Sequence, residues 1–327
     1  MTEVSEVAEY QLPQLYKHHV FACFTQRPPT HPRGSCAAAG AQPLWDRLGK
    51  AIEVFRQPER VIIGLSDEAD LPLVRQMFSP FTQRIESMSV ESAEMTKHAI
   101  NAFLALSVAF INELARLCER TGADAREVER GLKSEGRIGP KAYLSPGPAF
   151  AGGTLARDVR FLSEFGKKLG IDTPLMQGIV RSNQLHKNWL RDHISESIAQ
   201  AIDPTVAVLG LTYKPGTDTL RRSTSLELCQ WMAEHGVRVQ AYDPAVKQLP
   251  PELASAIILA PSAAAALTGA DVAVVATAWP EFRSLKADDF LTTMRRARVI
   301  DQTYFLADTL SHHPSVQYIA VGRAVGA

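Results

Sequence analysis

The stretch Val206-Ala-Val-Leu-Gly-Leu-Thr-Tyr-Lys-Pro-Gly-Thr-Asp218 decides the fold class of this chain. Its first half is an apolar, β-branched run that reaches Gly210, which is typical of a buried strand. A polar loop follows, and residues 224–235 then have the pattern of a helix. Strand, loop and helix in this order form one unit of a parallel α/β sheet, and such sheets bind phosphorylated ligands at these loops.

The same alternation continues to the end of the chain, with further strands predicted at 237–242, 271–277 and 298–301. The middle of the chain has the spacing of apolar residues that helices show. Helices are predicted there at 92–120, 124–133, 155–169 and 174–198.

The beginning of the chain has a weaker pattern. Residues 60–64 read as a strand and residues 67–78 as a helix, which is too little for a complete doubly wound domain. Residues 16–24 fit a short strand or a short helix equally well. The Pro-rich segment 27–43 is predicted to be irregular.

Composition excludes several classes of function. Lys plus Arg and Asp plus Glu both number 35, so the net charge is zero, which argues against binding to nucleic acid or to an anionic membrane. No unbroken apolar run of about 18 residues predicts a membrane span, and the acidic start is unlike a secretory signal. The four cysteines lack Cys-x-x-Cys or zinc spacing, so we expect reduced thiols, no metal and a cytoplasmic protein.

Three segments have the residue types that chemistry requires. Lys97 and Asn101 lie one helical turn apart and could stabilise a developing oxyanion, although such a pair is also common on a solvated helix face. The segment Gly152-Gly-Thr-Leu-Ala-Arg-Asp158 lets a ligand approach the backbone at a helix start, although Asp158 could serve only as helix stabilisation. The loop after Gly210 is long and basic, although an ordinary strand-to-helix connection has the same order.

Together these segments resemble the UDP-glucose/GDP-mannose dehydrogenase family. The resemblance rests on Ser92-Ala-Glu-Met-Thr-Lys-His-Ala-Ile-Asn-Ala-Phe103, Gly136-Arg-Ile-Gly139, the Pro-Gly…Gly-Gly-x-x-x-x-Asp loop and Gly210-Leu-Thr-Tyr-Lys-Pro-Gly-Thr-Asp218. The segments Tyr242-Asp-Pro244 and 270–282 fit the same family, in the same order. β-Hydroxyacid dehydrogenases also have a helical Lys-x-x-x-Asn, but they lack the Tyr-Lys-Pro-Gly-Thr-Asp loop and a third domain.

The resemblance implies roles for particular residues. Lys97 and Asn101 match the residues that polarise the reacting oxygen, and Asp158 matches the carboxylate that organises water or proton transfer. The cofactor is NAD, with Arg157 and Arg221 at positions that contact it. The positions that match nucleotide-sugar contacts are Arg137, Ser145, Gly147, Phe150, Gly153, Tyr213 and Lys214.

The chain also departs from the family pattern. Thr154 stands where the family has its catalytic Cys, and a hydroxyl needs strong activation to replace a thiolate. Leu44 stands where an active-site Glu is expected, and Asp301-Gln-Thr303 replaces Asp-Gly-Arg. No Gly-x-Gly-x-x-Gly follows a strand, so the usual pyrophosphate site is not predicted. A truncated gene start and the loss of the motif during evolution explain its absence equally well.

The resulting expectation is an α/β protein in four parts: irregular residues 1–44, a remnant of an NAD-binding Rossmann domain at 45–88, an all-helical dimerisation domain at 89–202, and a Rossmann-like UDP-sugar-binding domain at 203–327. The family reaction is NAD-dependent oxidation of a nucleotide sugar at C6. For this chain we expect impaired turnover, a bound UDP-sugar and a homodimer formed through the long helix. The alternative is a non-catalytic nucleotide-sugar-binding protein or a partner of a full-length dehydrogenase.

Overall fold

The computed structural model of the protein describes residues 60–79, 82–221 and 223–324, together with the strand at 19–24. These residues divide into two compact units, with the division between Asn101 and Ala102. The expected glutamate position, Leu44, lies outside the described residues. The boundaries between the four predicted parts stay predictions.

The secondary structure alternates in the first unit, is helical in the middle and alternates again towards the C terminus. The strands are β1 (His19–Phe24), β2 (Arg60–Leu65), β3 (Ile85–Ser89), β4 (Thr205–Leu209), β5 (Arg238–Tyr242), β6 (Ile257–Leu259), β7 (Val272–Val275), β8 (Arg298–Asp301) and β9 (Gln317–Ala320). The helices are α1 (Leu71–Phe78), α2 (Val90–Thr121), α3 (Ala125–Ser134), α4 (Thr154–Lys168), α5 (Pro174–Ile198), α6 (Thr224–Glu234), α7 (Pro251–Ala254), α8 (Ala263–Leu267), α9 (Ala287–Thr293) and α10 (Ala307–Leu310).

Both sheets of the described chain are parallel, which confirms the predicted α/β class. In the first unit the order is β1-β2-β3, so the segment left open between strand and helix forms a strand. In the second unit the order is β6-β5-β4-β7-β8-β9. Strand order reverses at β4, and in open parallel sheets ligands bind beside the carboxyl ends of the strands at such a point.

The second unit has a core on each face of its sheet. On one face, Ala115, Trp189 and Ile194 of the helical part join one cluster with Val206 and Val208 of β4. Short helices cover the other face, where residues such as Phe282 and Phe290 are fully buried. Because the helical middle and the C-terminal sheet share a core, they form one folding unit.

Close approach between these two parts requires a glycine at position 322. Gly322 has φ +79°, and a Cβ built there would lie 2.2 Å from the Cβ of Ala125. The Gly322 N–H donates to Glu119 and its carbonyl accepts from the Ala125 N–H. Burial alone would raise the pKa of Glu119, but hydrogen bonds from His193, Gly322 and Trp189 outweigh it and hold the pKa below its usual value.

The long helix α2 buries its small residues and exposes large ones. Ala102, Ala105 and Ala109 pack with Val159 of α4 and Ile179 of α5. Phe103, Phe110 and Leu117 are 67%, 45% and 61% exposed. The apolar spacing correctly predicted the helix. The buried stripe consists of its small residues, which allow neighbouring helices to come closer.

By length and composition, α2 could also span a membrane. Polar residues such as Asn112 interrupt its apolar run, which is why no unbroken span is visible in the sequence. In the most apolar part of the helix 44% is buried, and its alanines lie in the core described above. The helix therefore acts as a core helix of the second unit along that stripe.

Candidate functional site

The Gly/Pro-rich loop 145–153 is tied to the helices behind it by three buried side chains. Asn112 of α2 accepts from the Gly147 N–H at 3.0 Å and donates to the Pro148 carbonyl at 3.5 Å. Asn183 of α5 accepts from the Phe150 N–H and donates to the Phe150 carbonyl, both at 2.9 Å. His186 of α5 contacts the Gly147 carbonyl through Nε2 at 2.8 Å.

The tautomer of His186 follows from this contact. A carbonyl can only accept, so Nε2 carries the proton and donates it. Burial lowers the pKa of His186, although the hydrogen bond to Gly147 acts in the opposite direction. The imidazole is therefore neutral near neutral pH, and its Nε2–H group donates to the Gly147 carbonyl.

The other amide groups of the loop remain available to a ligand. Among the described residues, the N–H groups of Ala149, Ala151, Gly152 and Gly153 have no hydrogen-bond acceptor. Directly after them, α4 begins at Thr154 and adds the open N–H groups of its first turn. Consecutive backbone donors at a helix start favour an anion such as phosphate.

The structure brings this loop to the C-terminal sheet. A Cβ built on Gly153 would lie 3.8 Å from the hydroxyl oxygen of Tyr213, and one built on Gly147 would lie 3.4 Å from the carbonyl oxygen of Gln302. Tyr213 is 37% exposed. Thus loop 145–153, the loop after β4 and the segment after β8 meet at the carboxyl edge of the sheet.

Asp243 holds the loop after β4 in place. The Asp243 carboxylate is 1% exposed and accepts from the N–H groups of Leu211 and Thr212 at 2.7 and 2.9 Å. It also accepts from the Thr212 hydroxyl and the Trp279 indole N–H. Gly210, with φ +95°, lies so close to Thr277 that a Cβ would meet it at 2.4 Å. The sequence suggested the motif Tyr242-Asp-Pro244 but not this role.

The start of α4 places Thr154 and Asp158 together. They lie four residues apart on one helix and are 8% and 1% exposed. The Arg157 guanidinium donates to the Asp158 carboxylate at 3.1 Å while remaining 56% exposed itself. Thr154 is the first residue of the helix, and the open N–H groups of a helix start favour a negative charge nearby.

Lys97 and Asn101 lie one turn apart on α2, in the first unit. Asn101 is 1% exposed and Lys97 is half-buried. The i,i+4 spacing places both on one side of the helix, as predicted.

The remaining predicted residues differ in their surroundings. Ser145 donates its hydroxyl proton to Glu129 of α3, which also pairs with Lys133. Lys214 is half-buried. Arg221 is exposed, and Arg137 is paired with Glu135 with its side chain 90% exposed. No hydrogen bond among the described residues joins Arg137 to loop 145–153.

The strand-to-helix turn that is described in the first unit is a poor site for a dinucleotide pyrophosphate. This turn, from β2 to α1, contains Asp67, Glu68 and Asp70, and the Asp67 carboxylate accepts from the Ala69 N–H. Three carboxylates repel a pyrophosphate, and one of them already occupies a donor that a phosphate would need. The residues present therefore do not fit the cofactor at this turn.

The residues missed by sequence reasoning are Asn112, Asn183, His186, Asp243 and Trp279. The signal for the first three was a polar residue on an otherwise apolar side of a predicted helix. Their partners lie 33 to 39 residues away in the chain, so the pairing itself is decided by the tertiary fold.

Two parts of the chain match the models of one protein family. Residues 91–185 match the UDP-glucose/GDP-mannose dehydrogenase family, central domain, and residues 207–308 match the UDP binding domain of the same family. The chain belongs to the UDP-glucose/GDP-mannose dehydrogenase family.

Particular relatives cover most of this chain. UDP-glucose 6-dehydrogenase of Pseudomonas aeruginosa is 34% identical over an alignment 296 positions long, which covers 88% of this chain and 65% of the relative. The Rickettsia typhi UDP-glucose 6-dehydrogenase is 30% identical over an alignment 357 positions long, which covers 99% of this chain and 80% of the relative. A UDP-glucose dehydrogenase structure from Pyrobaculum islandicum aligns with a TM-score of 0.72 at 28% identity, covering 84% of this chain and 61% of that one. This chain thus spans about two thirds of the length of the Pseudomonas and Pyrobaculum proteins and 80% of the length of the Rickettsia protein.

Proposed function

We propose that this chain binds a UDP-sugar where loop 145–153 meets the loop after β4. The observation that carries the proposal is the row of open N–H groups at Ala149, Ala151, Gly152 and Gly153, next to the start of α4. A diphosphate presents the negative oxygens that such donors accept. The neighbouring loop after β4 adds the hydroxyl of Tyr213 and the cation of Lys214, and the family's UDP binding domain matches this part of the chain.

Each predicted residue has a task in this proposal. Gly147, Phe150 and Gly153 shape the loop, and Ser145 fixes its beginning through Glu129. Lys97 and Asn101 would polarise the C6 oxygen of the sugar, and Asp158 would hold a water or a proton near the reacting carbon. Arg137 stands in the exposed turn after α3, so we assign it to a surface that a second copy could reach.

The family reaction is NAD-dependent oxidation at C6, and we propose that this chain performs it poorly. Thr154 supplies a hydroxyl where a thiolate would capture an aldehyde, and a hydroxyl at neutral pH is protonated and weakly nucleophilic. NAD would contact Arg157 and Arg221, but the acidic turn at Asp67 does not fit its pyrophosphate. No step of the reaction is therefore assigned to the cofactor.

The second candidate function is non-catalytic: a nucleotide-sugar-binding protein or a partner of a full-length dehydrogenase. The specific observation in its favour is again Thr154, because a binding protein needs the loop but not the thiolate. We propose a cytoplasmic location for the protein under either candidate function.

A direct test combines binding with turnover. We expect UDP to bind in titration calorimetry, and Lys214→Ala to weaken it about tenfold because a charged hydrogen bond to phosphate contributes about 1.5 kcal/mol or more. Lys247→Ala, on the same unit, is the matched control and leaves binding unchanged. Failure of the unchanged protein to bind UDP would refute the proposal. Steady formation of reduced cofactor from NAD and UDP-glucose would instead exclude the non-catalytic candidate.

We also propose a homodimer formed through α2. Phe103, Phe110 and Leu117 recur every seven residues and form an exposed apolar stripe along two-turn intervals. A stripe of this kind on a helix is typical of helix–helix association. A second copy of the same helix would cover it.

Phe110→Asp is expected to make the protein monomeric. A carboxylate buried at the centre of an apolar interface loses its hydration, which costs several kcal/mol and raises the dimer dissociation constant by at least about 100-fold. Sedimentation velocity measures the change. Leu185→Asp is the control, since Leu185 is 48% exposed on α5 and lies off the stripe. An unchanged dimer in Phe110→Asp would place the interface elsewhere.

A further inference from the structure

We propose that Asn112, Asn183 and His186 are positioning residues that keep loop 145–153 in its ligand-binding shape before any ligand arrives. The inference rests on the proposed binding of a UDP-sugar and names the groups that set its affinity. None of the three contacts the ligand in this proposal, because each side chain faces the loop from the side of the helices.

The first support is the division of backbone groups within the loop. The N–H groups of Gly147 and Phe150 point to Asn112 and Asn183, while those of Ala149, Ala151 and Gly152 remain open. A loop that must present some amides to a ligand has to satisfy the others internally. The side chains on α2 and α5 do this for the inner set.

The second support is the geometry of Asn183. Its amide both accepts from and donates to the same residue, Phe150, at 2.9 Å each. This pair of bonds resembles the pairing of one strand residue with its neighbour, and it holds both peptide groups that flank the Cα of Phe150. Asn183 is 7% exposed, so water does not compete freely for either group.

The third support is that the side chains that hold Gly147 come from two different helices. Asn112 is on α2 and His186 is on α5, and both act on Gly147 from opposite sides, one through its N–H and one through its carbonyl. Side chains that are 1% and 2% exposed cannot leave these bonds without losing them to an apolar surrounding. The loop therefore has one shape rather than several.

Preorganisation has a measurable effect on affinity. If only a fraction of molecules has the binding-competent loop, the apparent dissociation constant rises by the inverse of that fraction. Asn183→Ala removes the bonds to Phe150, frees the loop to adopt other shapes, and is expected to weaken UDP binding roughly tenfold. It is also expected to speed hydrogen exchange of the Phe150 amide in the free protein, with protection recovered when UDP is bound.

Two controls separate positioning from a general loss of stability. Gln184→Ala changes the exposed neighbour on α5 and should alter nothing. Val159→Ala removes methyl groups from a fully buried residue in the same helical core; it lowers the unfolding temperature as Asn183→Ala does, yet should keep UDP affinity and Phe150 protection within twofold.

The outcomes distinguish this inference from the proposed function. If the unchanged protein binds UDP and Asn183→Ala binds it equally well, the positioning role is wrong while the binding function stands. If Val159→Ala weakens UDP binding as much as Asn183→Ala, the effect is one of stability and the inference is also wrong. If the unchanged protein does not bind UDP, the proposed function fails, and hydrogen exchange at Phe150 alone then decides whether Asn183 orders the loop.

Discussion

Asp243→Ala is expected to lower the free energy of unfolding of the second unit by about 3–5 kcal/mol. The Asp243 carboxylate accepts from Leu211, Thr212, Trp279 and, through its other oxygen, from the Ala245 N–H at 2.9 Å. Alanine leaves these buried donors without their acceptor, and each unsatisfied group costs about 1–3 kcal/mol. Water that enters the space left by the carboxylate accepts some of these hydrogen bonds, which reduces the total cost in free energy.

The loss should also reach ligand binding, because Tyr213 and Lys214 follow directly on the residues that Asp243 fixes. Denaturant unfolding measures the stability and titration with UDP measures the binding. Asp243→Asn keeps one acceptor oxygen and should lose less of both. Asp308→Ala, an exposed aspartate in the first turn of α10, should stay within about 0.5 kcal/mol of the unchanged protein. A loss below about 1 kcal/mol in Asp243→Ala would show that the loop after β4 does not depend on this carboxylate.

Thr154→Cys is expected to create a thiol that is more reactive than Cys118 or Cys229. Burial raises the pKa of the Cys229 thiol to about 12, and burial also raises the pKa of Cys118. Position 154 is 8% exposed, so burial also raises the pKa of an introduced thiol there, but the open N–H groups at the start of α4 favour the thiolate and bring that pKa back towards its ordinary value of about 8.5. Asp158, one turn away, acts against that effect, and its pairing with Arg157 limits the opposition.

The size of the difference follows from the thiolate fractions. At neutral pH, a thiol with a pKa near 8.5 has about 3,000 times more thiolate than a thiol with a pKa of about 12. The more basic thiolate is the stronger nucleophile, and on a logarithmic scale this cancels about half of the rate advantage. The introduced thiol should therefore be alkylated by iodoacetamide at least about 50 times faster than Cys229. Peptide mapping by mass spectrometry reads each cysteine separately, and the unchanged protein gives the background at Cys118 and Cys229. Equal rates at the introduced thiol and at Cys229 would remove Thr154 from the nucleophile position.

Local pattern was sufficient for the elements that form the fold. Helix α5 has the predicted bounds of 174–198, and α2 extends the predicted 92–120 by two residues at its start and one at its end. Pro174 at the helix start and the regular spacing of apolar residues determine such bounds within the segment itself. The parallel α/β order of β4, α6 and β5 follows in the same way from the stretch that begins at Val206.

The spacing of apolar residues in the sequence did not determine which side of a helix packs against its neighbours. The apolar spacing of α2 includes Phe103 and Phe110, yet the stripe that packs inside the unit contains Ala102, Ala105 and Ala109. Which side of a helix is buried depends on how closely its neighbours approach, and that distance is a property of three helices together. The large residues Phe103, Phe110 and Leu117 are exposed in the part of the chain that the structure describes.

The sequence by itself determined the α/β class, the helical middle and the family, and it indicated the loops that we propose for nucleotide-sugar binding, because periodicity, turn residues and motif spacing are encoded within short segments. Only the tertiary structure decided which amides of loop 145–153 face inward, that Asp243 and Trp279 hold the loop after β4, and that Tyr213 lies beside Gly153. These contacts join side chains that are tens of residues apart in the chain, and their hydrogen bonds form only where folding removes the competing water.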